Sequence, residues 1–142
     1  MSFEPFMLAT FCDDVRQEVG NKLSYLGIYG PNLIVPSFPT TLVKLCCVFT
    51  LRMPAGSLPR KVNLTLLRDD EVVFEADLAQ QATESAAANA SPVEGDGFAL
   101  TISTVAQLVG LAITQRGILK ARADVDGKTL HGGGLELLAA DG

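Results

Sequence analysis

Val43-Lys44-Leu45-Cys46-Cys47-Val48-Phe49-Thr50-Leu51-Arg52-Met53 is the stretch on which the fold turns. Its odd positions, Val43, Leu45, Cys47, Phe49, Leu51 and Met53, are all apolar, while the even ones include Lys44, Thr50 and Arg52. A period of two belongs to a β-strand, whose successive side chains point to opposite faces. One apolar face and one mixed face mean a sheet packed against something on one side. The pattern then repeats. From Arg60 to Arg68, Val62, Leu64 and Leu66 alternate with Lys61, Asn63 and Thr65, and Val72, Phe74, Ala76 and Leu78 alternate with Val73, Glu75 and Asp77. Asp69-Asp70, lying between these runs, reads as a tight hairpin turn.

Toward the C-terminus Leu119, Ala121, Ala123 and Val125 alternate with Lys120, Arg122 and Asp124, and Asp126-Gly127 follows. That dipeptide is a strong hairpin signal, because both central positions must accept positive φ. A returning strand runs from Lys128 to Leu138, interrupted by Gly132-Gly133-Gly134, which predicts a bulge or a close approach by other backbone. Phe98, Leu100 and Ile102 supply one more strand.

Phe6 to Cys12 is apolar on both faces, as in a strand deep inside a sandwich. Gly20-Asn21 turns into Leu23–Tyr29, Gly30-Pro31 closes that run, and Leu33-Ile34-Val35 is ended by Pro36-Ser37-Phe38-Pro39, a rigid crossing. Two segments break the pattern. Gln80 to Pro92 has almost no large apolar residue and reads as a mixture of edge strand and loop. Val105, Leu108, Val109 and Ala112 recur at helical spacing, which fits one short helix near 104–113. The whole predicts an all-β fold, an immunoglobulin-like two-sheet sandwich of about seven to nine antiparallel strands. It fills a single domain, residues 1–142.

Composition narrows the function classes. Apolar residues make up 48% of the 142, enough for a packed core without metals or disulfides. The net charge of −5 and the scatter of the 11 basic residues argue against nucleic acid, which needs clustered Lys and Arg. Arg60 and Arg68 share a strand face and Lys61 takes the other, which makes a solvated strand and no groove. The longest uncharged apolar run, Val105–Thr114, is far short of the roughly 18 residues of a membrane span. Three cysteines, two of them adjacent, make no disulfide framework. With no secretion signal at Met1–Pro5, a cytoplasmic location is expected. The expected partner is another protein, or a second copy of the chain, met through an edge strand, with the glycine-rich, weakly charged C-terminal strand as the expected edge.

Several pieces also carry a family likeness. Phe11-Cys12-Asp13-Asp14-Val15-Arg16-Gln17-Glu18, then Gly20, Lys22-Leu23-Ser24, Leu26-Gly27-Ile28-Tyr29 and Pro36-Ser37-Phe38-Pro39, stand in the order of a family of small bacterial proteins of unknown function. Gly117-Ile118-Leu119 followed by Asp124-Val125-Asp126-Gly127 resembles that family's ending, with Leu119 where an aromatic is more usual. A tyrosine corner therefore does not carry over. The resemblance spans most of the chain and implies an immunoglobulin-like fold. It implies no activity.

Each candidate site has a structural explanation beside its chemical one. His131-Gly132-Gly133-Gly134 matches the segment that supplies oxyanion-hole amides in some esterases. The chain has no G-x-S-x-G nucleophile motif, and its only His lies inside the segment itself. Asp13 and Asp14, with Arg16 and Glu18, could hold a charged partner, or accept backbone amides where the first strand bends. Asp69-Asp70-Glu71, Asp124 and Asp126 could add carboxylates for calcium if the turns converged. Cys12, Cys46 and Cys47 lie in apolar strands, where a thiol acts as a small hydrophobe. The binding candidates are therefore Asp13, Asp14, Arg16 and His131, with no catalytic residue, metal set or cofactor assigned. The leading expectation is a non-catalytic interaction or structural module, ahead of a calcium- or small-ligand-binding sandwich and a small hydrolase.

Overall fold

Each alternating stretch forms the strand that its period predicts. The computed structural model describes residues 4–20, 22–54, 59–78, 90–92 and 98–141. Among these lie β1 (Phe6–Glu18), β2 (Lys22–Ile28), β3 (Asn32–Val35), β4 (Thr40–Pro54) and β5 (Val62–Arg68). They continue with β6 (Glu71–Asp77), β7 (Ala90–Pro92), β8 (Phe98–Ile113), β9 (Gly117–Val125) and β10 (Lys128–Ala139). The short β3 and β7 bring the strands to ten among the described residues.

The strands form two sheets, ordered β2-β1-β4-β8-β7 and β3-β10-β9-β5-β6. The run β1-β4-β8-β7 facing β10-β9-β5 is the ABED-against-GFC order of the immunoglobulin sandwich, with β6 added beside β5. One pairing departs from the antiparallel expectation: β3 runs parallel to β10, from Asn32 beside Glu136 to Val35 beside Ala139, so the glycine-rich C-terminal strand lies between β3 and β9 and is not the edge its sequence suggests. Chain direction explains the parallel pairing, since β3 reaches this edge along the crossing that carries the chain to β4.

The inward faces make one core. Phe49, Leu51, Met53, Leu64, Leu66, Leu100, Ile102, Leu119, Leu135 and Leu137 are fully buried in it, and Phe49 stacks on Phe74 with ring centroids 5.9 Å apart. Burying a side chain of this size contributes about 1.5–3 kcal/mol. The turns behave as read. Asp69 has φ 54°, and Asp126 and Gly127 have φ 49° and 84°, the double positive that a two-residue hairpin requires.

Three local expectations are corrected. No helix forms near 104–113: these residues belong to β8, paired with β4 from Thr40 beside Ile113 to Pro54 beside Ala99. A full-length neighbour offers every backbone group a ladder partner, which a short helix would forgo. Val43 points outward, 85% exposed, while Leu42 packs on the core. Both effects have one origin. Gly110 takes φ 68°, and at this level β4 and β8 change faces together, so Leu108 and Leu111, three apart, both face inward. That spacing mimics a helix. Finally, β1 is not buried on both faces: Met7 and Phe11 are in the core, whereas Leu8 is 59% exposed. The Gln80–Pro92 expectation falls outside the described residues, apart from β7.

Candidate functional site

The N-terminal hairpin departs from the plain sandwich. β1 pairs with β4 from Phe6 to Cys12 and with β2 from Cys12 to Glu18, so it changes partner at Cys12. Beyond that point the hairpin lies over the outer face of the first sheet. Val15 and Tyr25, directly opposite each other, pack down on Cys12, Cys46 and Val48. Between hairpin and sheet is a pocket of about 280 Å³ lined by Val15, Gln17, Leu23, Cys46, Val105 and Gln107.

Asp13, Asp14 and Arg16 all lie in this hairpin, each with a nearby partner. Asp13 accepts a hydrogen bond from the Tyr29 hydroxyl. Gly27, at φ 69°, passes so close to the Asp13 carboxylate that a Cβ would collide with it. Burial and then the Asp13 carboxylate push the Tyr29 phenol up to about 12. The Asp14 Oδ1 accepts from the Val15 amide at 2.9 Å and from Lys44 Nζ at 2.5 Å. The Lys44 hydrogen bond, then the Val15 amide, holds the Asp14 carboxyl below its usual range, and Lys44 is raised in turn. Asp14 therefore both accepts the next backbone amide along β1 and ties the hairpin to β4. Arg16 Nε lies 3.7 Å from Glu18, two positions along the same strand, in an exposed ion pair.

His131 lies apart from these residues. It is exposed on β10 in the second sheet, opposite Arg122 of β9. The three glycines after it have structural duties. Gly133, at φ 102°, sits where the register shifts between β10 and β9. Gly132 is buried where β10 meets β1, and a Cβ there would lie 2.5 Å from Met7 Cε and 3.3 Å from the Ala9 amide nitrogen. At Gly134 a Cβ would lie 2.7 Å from the Leu119 carbonyl oxygen. The segment is a bulge and a close sheet contact together.

The acidic turns do not converge. Asp69 Oδ1 accepts from the Ile118 amide at 3.1 Å, at the start of β9. Asp126 Oδ1 accepts from the Arg60 and Lys61 amides at 2.9 Å, just past its end. These anchors are about 26 Å apart at the usual strand rise. Asp124 accepts from the Thr129 hydroxyl at 2.7 Å. Among the described residues no three His, Cys, Asp or Glu side chains form a group able to hold a metal ion.

Burial raises all three thiols, Cys47 up to about 12, and so favours the thiol form of each. Cys46 and Cys47 face opposite ways, as their adjacency requires: Cys47 is in the main core and Cys46 in the smaller cluster under the hairpin. Cys46 has a neighbour that residue spacing does not reveal. Cys12 lies directly opposite it across β1 and β4. A shared alternation phase was the only available signal, and it does not specify register.

The architecture and its glycine and aspartate turns extend through most of the chain, and a family model matches residues 7–137, from β1 into β10. The chain belongs to this family, DUF6941, a family of unknown function. No curated protein and no solved structure matches this DUF6941 member. The family resemblance read from Phe11–Tyr29 and the Phe38-Pro39 crossing thus leads to the right family, and membership adds no chemistry to the site. Among the described residues no helix is long and apolar enough to cross a membrane.

Proposed function

We propose that this DUF6941 domain is a non-catalytic interaction module that pairs with a second copy of itself through strand β2. The observation that carries the reading is the state of that edge. β2 is an outer strand of its sheet, seven residues long, with none buried. It presents Leu23, Leu26 and Ile28, the last 62% exposed. Unpaired backbone beside exposed apolar side chains is a template for strand addition. The other edges are better guarded: β6 carries Glu71, Glu75 and Asp77, while β3 and β7 have four and three residues. The structural duties of Gly132–Gly134, the protonated thiols and the separated acidic turns support a role without catalysis or calcium.

Sedimentation velocity from micromolar to millimolar protein tests this. The expected result is a dimer that forms with concentration and is lost in Leu26→Lys/Ile28→Lys, whose charges oppose edge pairing. A single monomer boundary across the whole range would overturn it.

A further inference from the structure

We propose that Cys12 and Cys46 are an oxidisable dithiol, which a small hydroperoxide entering the pocket under the β1–β2 hairpin converts to a disulfide fastening β1 to β4. This rests on observations separate from the pairing proposed at β2.

Cys12 and Cys46 are direct partners in the β1–β4 ladder. Opposed residues on antiparallel strands hold their Cα atoms about 4.5–5.5 Å apart. Disulfides span about 4.4–6.8 Å between Cα atoms, so little backbone movement is needed. Both side chains leave the same face of the sheet and touch in one small cluster with Val48. They are 0% and 1% exposed, and both are free thiols. Access is lopsided: Cys46 lines the pocket, whereas Cys12 is not among its lining residues. A peroxide fits that pocket far better than a bulky disulfide oxidant.

The chemistry balances in two steps. Cys46 loses its proton, and its sulfur attacks one peroxide oxygen. The O–O bond breaks, and the departing hydroxide or alkoxide takes the proton to leave as water or an alcohol, so sulfur is oxidised to sulfenic acid while the peroxide gains two electrons. The Cys12 sulfur then attacks the Cys46 sulfur. The S–O bond breaks, and hydroxide leaves with the Cys12 proton as water. Two thiols and one hydroperoxide become one disulfide and two hydroxylic products, both of them water when the oxidant is hydrogen peroxide. Burial favours the thiol form of both groups, which makes the first step slow and its product persistent.

Peptide mapping of the full chain after treatment with hydrogen peroxide tests the assignment. Trypsin cuts after Arg16, Lys44 and Arg52, which places Cys12 in peptide 1–16 and Cys46 with Cys47 in peptide 45–52. The expected product is a 1–16/45–52 pair joined by a disulfide, lighter than the separate peptides by two hydrogens. It persists in Cys47→Ala and is lost in Cys12→Ala and Cys46→Ala. Fragment spectra of the wild-type pair separate a Cys46 link from a Cys47 link, so the answer does not depend on the variants folding. A link through Cys47, a link only between chains, or methionine sulfoxide accumulating while both thiols remain open to alkylation would each overturn the proposal.

Discussion

Replacing Gly132 with Ala tests whether the glycine run is a packing device. The backbone φ at Gly132 is not in the left-handed region, so an alanine there meets steric resistance alone. Its Cβ would come 2.5 Å from Met7 Cε and 3.3 Å from the Ala9 nitrogen. The methionine end could swing away, but Met7 is 3% exposed in a filled core, and the Ala9 backbone can move only with β1. Overpacking of this kind costs about 1–3 kcal/mol. With an unfolding entropy of about 2.1 cal/mol/K per residue, a 142-residue domain loses about 3 °C in Tm per kcal/mol, or roughly 3–10 °C here. Differential scanning calorimetry of Gly132→Ala, Met7→Ala and the double variant reads this directly. Met7→Ala alone costs about 2–5 kcal/mol but opens the space that the new methyl needs. The double variant should therefore be more stable than the summed losses predict by at least about 0.5 kcal/mol. Gly133→Ala is the control: its Cβ would meet open space at φ 102°, so its cost of about 1–2 kcal/mol is backbone strain that Met7→Ala does not relieve. A wild-type Tm for Gly132→Ala, or strict additivity with Met7→Ala, would refute the close contact of β1 and β10.

Other expectations concern the hairpin and the core. Because Asp14 has a depressed folded-state pKa, its contribution is present above the ordinary carboxylate value of about 3.9 and is lost as pH falls through the lower folded value. Asp14→Asn should therefore lower Tm slightly at neutral pH, less in high salt, and the gap to wild type should close in acid; a gap that stays constant down the acid limb would contradict the Lys44 pairing. Tyr29, raised to about 12, favours the fold below the ordinary phenol value of about 10, a contribution lost as pH rises through its folded value. In an ultraviolet titration, Asp13→Asn should bring that late ionisation only part of the way down, since burial is the larger cause; no change at all would break the Asp13 assignment. Phe49→Ala removes a fully buried ring stacked on Phe74 and should cost about 3–5 kcal/mol by chemical denaturation, a loss under 1 kcal/mol being incompatible with the core described.

What was legible in the sequence was local. The alternation in Val62–Leu66 and Leu119–Val125 states which side chains share a face, because a strand repeats every two residues whatever it packs against. Asp126-Gly127 announces its turn through backbone φ preferences that two residues carry by themselves. These signals were sufficient for a two-sheet sandwich and for expecting a bulge or close approach at Gly132–Gly134. They also allowed Asp13 and Asp14 to be read as amide acceptors, which holds for Asp14 with the Val15 amide, whereas Asp13 takes the Tyr29 hydroxyl.

The rest is non-local. Nothing near Val43 says that β4 turns over there; the face change needs Gly110 on the neighbouring strand. Asp69 and Asp126 look alike as sequence, yet they anchor opposite ends of β9, which only the pairing of β5 with β9 decides. Cys12 and Cys46 meet because β1 and β4 settle in one register out of several that their alternation permits. Residue spacing encodes the face of each strand, but strand order and register follow from the burial energy of all faces at once. The composition and period of this chain were therefore enough for its architecture, and only the tertiary structure brought together the hairpin, its pocket and its pair of thiols.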